Sequence, residues 1–352
     1  MVVNERVLST RELNRALLAR QLLLERSQLS LIQALERVAG LQAQYAPSAY
    51  IALWSRLHDF KRDALTVALE QRRAVQATLM RVTIHIVSAP DYPLFTEGIR
   101  NRRRQWWMSV SRHQVEGLDM NEVSALLRRH LAAGPRREAD LAKILAVEGW
   151  PRIAWSGVGL WLDLVRVPPS GTWERRRADL YGLAEDWLEP TVASEAEGIE
   201  HLVRRYLRGF GPASAGDIAN WAGLQVTALR PVIERLNVRR YRDEEGKELL
   251  DLPRAPLPDP DTPAPVRFLP TWDATLLVHA RRTQILPERY RSLVFNTKTP
   301  HSVPTFLVDG AVAGTWRFEK GRVELKPFDR LPRAARGELE DEAERLATFH
   351  AD

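Results

Sequence analysis

The stretch Val75-Gln-Ala-Thr-Leu-Met-Arg-Val-Thr-Ile-His-Ile-Val87 decides how this chain is read, because it is rich in β-forming residues and alternates polar with apolar over Thr83–Val87. Upstream of it the pattern is helical. Ser9 or Thr10 caps a first helix with Glu12 in its first turn and Leu13, Leu17 and Leu18 on one face. A second helix starts near Ser30, a third runs from Ser48 through Leu57, and a short one covers Asp63–Gln71. Helices followed by a β-hairpin describe a winged helix.

Downstream, the same order recurs twice. Asp140-Leu141-Ala142 lies in a helix over Glu138–Leu145, a second helix follows around Ser156–Leu164, and the run from Val165 to Arg177 reads as strand, turn, strand. In the third unit Ser214-x-x-Asp217 starts a helix over Asp217–Ala222 and Gly223 makes the turn. Thr227 opens the next helix, and a strand pair, Val238–Arg242 and Lys247–Leu252, turns at Asp243–Gly246. The two Asp-apolar-Ala motifs make a weak internal repeat, which supports tandem modules.

Pro253–Pro265 reads as a linker, with six prolines in 13 residues. Beyond it the character is β over Val266–Val278 and again over Thr305–Leu325, with hairpin turns at Asp309-Gly310 and Lys320-Gly321. An acidic helix from about Ala334 to Phe349 ends the chain. The expected fold is therefore α+β: three tandem winged-helix modules (1–112, 113–190 and 191–253), a proline-rich linker (254–265) and a small C-terminal β-sheet or barrel domain (266–352).

A length of 352 residues with 45% apolar content suits a globular protein of more than one domain. No apolar run approaches the roughly 20 residues of a membrane span, and the start lacks a signal-peptide core, so a cytoplasmic, nucleoid-associated monomer is expected. The absence of cysteine excludes disulfides, thiolate chemistry and cysteine-ligated clusters. The eight histidines form no ligand-spaced pair, so neither a metal nor a cofactor is expected.

Charge is more informative through its distribution than its total. The chain carries 51 basic and 45 acidic residues, a net +6, with only six lysines. Residues 72–112 hold eight arginines against Asp91 and Glu97, an excess equal to that of the whole chain. Such one-signed clustering points to nucleic acid, and arginine forks suit phosphate and base edges.

Upstream of the hairpin stands Gly40-Leu41-Gln42-Ala43-Gln44-Tyr45-Ala46. Leu29, Leu31, Ile32, Leu35 and Val38 have helical spacing, Gly40 can end that helix, and Pro47 disfavours helical geometry at Ala46. If the stretch is extended, Gln42 and Gln44 point the same way. An isolated Gln-x-Gln is more often an ordinary polar loop, so its surroundings must carry the case.

Taken together these residues resemble the winged-helix alkylpurine DNA glycosylases of the AlkZ and YcaQ type. The resemblance rests on Gly40–Gln44, the strand Arg81-x-Thr-x-His85-x-Val87, the third helix-turn-helix from Gly211-Pro212, Phe268-Leu-Pro-x-x-Asp273, Pro304-Thr-x-Leu-Val-Asp-Gly310, and Gly314-Thr-Trp-Arg317. It implies a curved basic surface of three winged helices, a hairpin that probes the minor groove, and base excision by a Gln-aliphatic-Gln motif. By position, Gln42 and Gln44 are the implied catalytic pair, in the form of the branch that unhooks interstrand crosslinks. Duplex DNA carrying alkylated bases is the implied partner. Candidate DNA contacts are Arg81, Thr83 and His85 on the hairpin, Arg102, Arg103 and Arg104 in the basic run, and the wing arginines Arg175, Arg176, Arg239 and Arg240.

The chemistry is consistent with glutamine. An amide can orient water but has no usable pKa, so it suits a leaving group that needs no proton. A purine alkylated at N7 or N3 is already cationic and leaves as a neutral base. Ser156-Gly-Val-Gly159 offers a rival helix-hairpin-helix reading with Asp179 as its aspartate, though Pro168, Pro169 and Gly171 interrupt the second helix it needs. A non-catalytic winged-helix regulator is the alternative from another class. Trp106 and Trp107 are adjacent, so in a helix they diverge, with one in the core.

Overall fold

A computed structural model describes residues 5–279, 283–295 and 302–351. Strand β1 (Val7–Leu8) leads into α1 (Thr10–Arg20), where Ser9 and Glu12 form a reciprocal capping box. A second box, Ser30 with Gln33, starts α2 (Leu31–Arg37). Then come β2 (Leu41–Gln42), α3 (Ala46–Arg56), α4 (Arg62–Glu70), β3 (Ala74–Thr78) and β4 (Ile84–Ser88). Helix α3 begins at Ala46 rather than Ser48, because Pro47 falls in the first turn, where a missing N–H leaves no bond unmade.

The middle of the chain forms α5 (Asp91–Val110), α6 (Met120–Leu131), β5 (Arg136–Arg137), α7 (Glu138–Val147), α8 (Ile153–Val158), β6 (Leu164–Arg166) and β7 (Leu180–Leu183). Two expectations shift here. The helix read over Ser156–Leu164 lies over Ile153–Val158, and the strand pair read within 165–177 closes only at Leu180. Pro168 and Pro169 cannot donate to a ladder, so the chain loops out. The Ser170 hydroxyl ties that loop, donating to the Arg177 carbonyl and accepting from the Asp179 N–H, each at 2.8 Å.

Next follow α9 (Glu195–Phe210), α10 (Ala215–Ala222), α11 (Val226–Arg235), β8 (Arg239–Asp243) and β9 (Glu248–Asp251). The Ser214–Asp217 box and the left-handed Gly223 sit where the sequence places them. The last third holds β10 (Arg267–Leu269), α12 (Arg291–Val294), β11 (Thr305–Val308), β12 (Ala311–Glu319), β13 (Arg322–Pro327) and α13 (Arg333–Ala351). β10 is shorter than the β-rich run around it, because Asp273 caps a 3-10 turn at Ala274–Leu276.

Among the described residues the strands form three sheets, in the orders β1-β8-β9, β10-β11-β12-β13 and β2-β4-β3-β6-β7-β5. The last of these joins strands of the first and second helical units into one surface, at the pairing of Gln76 with Arg166. Apolar packing also spans long sequence distances: Leu17, Phe95, Tyr206, Trp221 and Leu307 share one core, and Tyr50, Trp54, Phe268, Trp316 and Phe349 another. Each such side chain contributes roughly 1.5–3 kcal/mol when buried. Residues 253–265 are irregular, as their prolines require, yet α1 holds them along its length. Arg11 donates to the Pro260 carbonyl (2.7 Å), Arg15 to that of Thr262 (2.7 Å) and Arg20 to that of Pro256 (2.9 Å). No helix among the described residues is long and apolar enough to cross a membrane.

Candidate active site

The glutamine motif begins where α2 ends. Ala39 and Gly40 are both left-handed (φ +62° and +79°), and the Gly40 N–H closes back on the Leu35 carbonyl at 2.8 Å, a Schellman stop. Gly40 is doubly required, since a Cβ there would meet Val87 Cγ1 at 2.8 Å. The chain is thereby delivered to the edge of β4, where Leu41 pairs with Ile86 and Gln42 with His85, and the Ala43 N–H reaches the Ile84 carbonyl at 2.8 Å. Ala43 itself faces the core, and strand geometry stops at Gln42.

Both glutamine side chains nevertheless reach the same short stretch, Arg81–Ile84. Gln42 is buried, and its Oε1 accepts from Arg81 Nη2 at 2.8 Å; Gln44 is exposed, and its Oε1 accepts from the Ile84 N–H at 2.6 Å. The two amides are thus oriented by donors of one hairpin. Each oxygen keeps a second acceptor lone pair and each Nε2 its two N–H groups, enough to hold a water from either side. Arg81 is locked in turn, with φ +54° and Nη1 donating to the Trp221 carbonyl of α10 at 3.0 Å. Next to it Val82, also left-handed, exposes its side chain at the tip.

His85 lies inside. It is 2% exposed, its Nδ1 lies 3.0 Å from the Thr83 carbonyl, and burial, reinforced by Arg81, pushes its pKa down to about 3. The imidazole is therefore neutral at physiological pH and does not face a ligand surface. Thr83 is half-buried and donates to the Met80 carbonyl at 2.9 Å. Among the described residues no cluster of three potential metal ligands occurs.

A family model described as DNA glycosylase AlkZ-like matches residues 35–349, from within α2 through α13 and so across the glutamine motif and its hairpin. The chain belongs to the AlkZ-like DNA glycosylase family. It is a DNA repair enzyme whose substrate is DNA, and the reading as a non-catalytic regulator falls. The glycosylase is also similar to a solved structure, the DNA glycosylase AlkZ of Streptomyces sahachiroi, with a TM-score of 0.76 and 20% identity over 97% of each chain. At that identity the likeness speaks for a shared fold. No curated protein sequence matches it.

In this glycosylase the candidate DNA arginines are unevenly disposed. Arg103 is largely buried, donates to the Thr78 carbonyl (3.2 Å), and has its pKa pushed down to about 10 by burial and by Arg100. Arg104 donates to the Leu160 carbonyl (2.7 Å) and stacks on Trp161, while Arg102 is half-exposed and, among the described residues, reaches only Gln105. Much of the basic run thus braces the scaffold. Arg175 and Arg239 are exposed, and Arg240 pairs with Glu248 at 2.7 Å.

One contact was not foreseen. Arg176, from the loop after β6, donates to the Tyr45 hydroxyl at 2.9 Å and lies over its ring, next to Gln44. Only the aromatic residue directly following the motif hinted at it. Of the adjacent tryptophans, Trp107 is buried and donates to Ser156 Oγ (3.0 Å), while Trp106 is exposed. Ser156–Gly159 therefore serves as packing for Trp107: a Cβ on Gly157 would meet its ring at 2.6 Å. Asp179 is ion-paired with Arg137 and Arg177.

Proposed function

We propose that this glycosylase excises purines made cationic by alkylation at N7 or N3, with Gln42 and Gln44 holding the attacking water. The observation that carries this reading is that both amide oxygens are fixed by donors of one hairpin while the neighbouring imidazole stays neutral. Such a site positions water and polar groups without supplying a proton, which suffices only where the base leaves as a neutral molecule. Arg81, Arg176 and the exposed wing arginines then meet phosphates around the lesion, and three winged-helix modules form the surface that carries the duplex. Exposed Gln44 and Tyr45 leave room for bulky adducts, so the reading extends to unhooking of interstrand crosslinks by the monomer.

Duplexes carrying N7-alkylguanine, N3-alkyladenine, uracil or hypoxanthine, cleaved by alkali after incubation, test it. Release of the two alkylated purines alone is expected. Gln42→Ala and Gln44→Ala should each slow single-turnover excision by roughly 10- to 1,000-fold with duplex affinity nearly unchanged. Full activity in the double variant, or efficient uracil release, would sink the assignment.

A further inference from the structure

A cluster of uncompensated charge lies away from the glutamines. A groove of about 620 Å³ runs between the last turn of α2, one stripe of α9 and the start of the proline-rich segment. Two of its arginines are neutralised: Arg204 by Glu200 at 2.8 Å, and Arg205 by Asp91 at 2.8 Å and Glu36 at 3.2 Å. The other three are not. Among the described residues no carboxylate lies within ion-pair range of Arg37, Arg208 or Arg254.

The burial cost falls on Arg37. Arg37 has a buried Nε with no acceptor, and burial, together with the charge of Arg208, lowers its pKa. Arg37 and Arg208 each occupy the last turn of a helix, where the dipole favours one cation. That preference does not account for two guanidiniums close enough to repel, nor for Arg254, which belongs to no helix and is held at φ +74°. Flanking Arg254, Leu252, Pro253, Ala255 and Pro256 add an apolar lining to the groove. Guanidiniums without ion pairs in one groove with apolar lining match the two halves of a small phosphorylated organic molecule.

The register separates this groove from the glutamines. β2 runs antiparallel to β4, with Gln42 opposite His85 near the hairpin tip, so Arg37 lies toward the other end, where Arg205 bridges Asp91 and the Glu36 carbonyl. Four residues of chain intervene, with a left-handed turn at Ala39 and Gly40 between the two positions. We infer that Arg37, Arg208 and Arg254 form a second ligand site, separate from the glutamine pair, for a small molecule bearing two or more phosphoryl groups, of the nucleoside diphosphate class.

Titration calorimetry of the full chain with ADP, pyrophosphate and adenosine at physiological ionic strength tests it. ADP and pyrophosphate should bind and adenosine should not. Arg208→Gln/Arg254→Gln changes two exposed side chains, so the fold is retained, and should weaken ADP by roughly ten- to a hundred-fold. Excision and duplex affinity should stay as in the parent. Three outcomes overturn the inference: no binding of ADP or pyrophosphate, adenosine binding as tightly as ADP, or a reduced salt slope for duplex binding in the double variant, which would make the groove a DNA-backbone contact.

Discussion

At the seam where α1 and α3 meet later parts of the chain, arginines are buried against carboxylates, whereas around the tip of the β3–β4 hairpin they donate to neutral oxygens. In the first region Arg20 forks onto Asp251 (2.6 and 2.8 Å), Arg56 onto Asp273 (3.0 and 2.9 Å), and Arg15 onto Asp309. In the second, Arg81 meets an amide and a backbone carbonyl, Arg103 and Arg104 meet backbone carbonyls, and Arg176 meets a phenol. Arg100, nearby on α5, is paired with Asp163 and Glu97. A carboxylate cancels the guanidinium charge, but a carbonyl only aims it. The seam spends its arginines on holding distant segments together, whereas Arg103, Arg104 and Arg176 are aimed by neutral oxygens.

The sharpest way to break this contrast is at the seam. Arg20 is fully buried, so Asp251→Ala leaves a charge with only the carbonyls of Leu207 and Pro256. A loss of about 3–5 kcal/mol is expected, read as a lower urea midpoint, with excision by the folded fraction intact. A loss under about 1 kcal/mol would mean that the seam does not depend on charge cancellation.

At the hairpin the expected effect is smaller and falls on chemistry. Arg81→Met keeps the side-chain length but removes the donor to Gln42 Oε1, freeing that amide to rotate. Single-turnover excision should fall about 10- to 100-fold. Unchanged excision with lowered stability would reduce Arg81 to a brace between β4 and α10.

His85 sharpens the same point through pH. Its folded-state pKa of about 3 lies below the usual 6.5, so below pH 6.5 the unfolded chain binds a proton that the folded chain refuses. Stability present above pH 6.5 is lost as pH falls toward 3, by up to about 1.4 kcal/mol per unit, and His85→Phe should flatten that slope. Excision should not follow a His85 titration between pH 6 and 8, roughly the range where an unperturbed histidine would act.

How much of this was legible in the sequence depended on range. Capping boxes at Ser9 and Ser214, the turns at Gly223, Asp309-Gly310 and Lys320-Gly321, and the end of α2 are set by neighbours within about four residues, and they stand where the pattern puts them. The shared sheet through Gln76 and Arg166 and the clamped proline-rich segment arise from pairings across tens to hundreds of residues. Local pattern carries no trace of those. The basic run misleads for the same reason, since charge is visible in sequence but Thr78, Leu160 and Asp163, which hold Arg103, Arg104 and Arg100, are not.

The smallest effect belongs to Arg176, and it asks whether a charge aimed by a neutral oxygen is used. Its only polar partner among the described residues is the Tyr45 hydroxyl, and Tyr45 is 41% exposed, so the pair adds little to folding. Arg176→Ala should therefore leave the urea midpoint within about 0.5 kcal/mol. If the guanidinium meets one phosphate beside Gln44, the log–log salt slope of duplex binding should drop by about 0.9, and equally for undamaged DNA, since phosphate contacts carry no base information. Tyr45→Phe removes the hydroxyl but leaves the ring and the charge, so its slope should match the parent. A slope unchanged by Arg176→Ala, with excision slowed instead, would move Arg176 from the DNA backbone to the support of Gln44 and narrow the contrast between the two regions to Arg103 and Arg104.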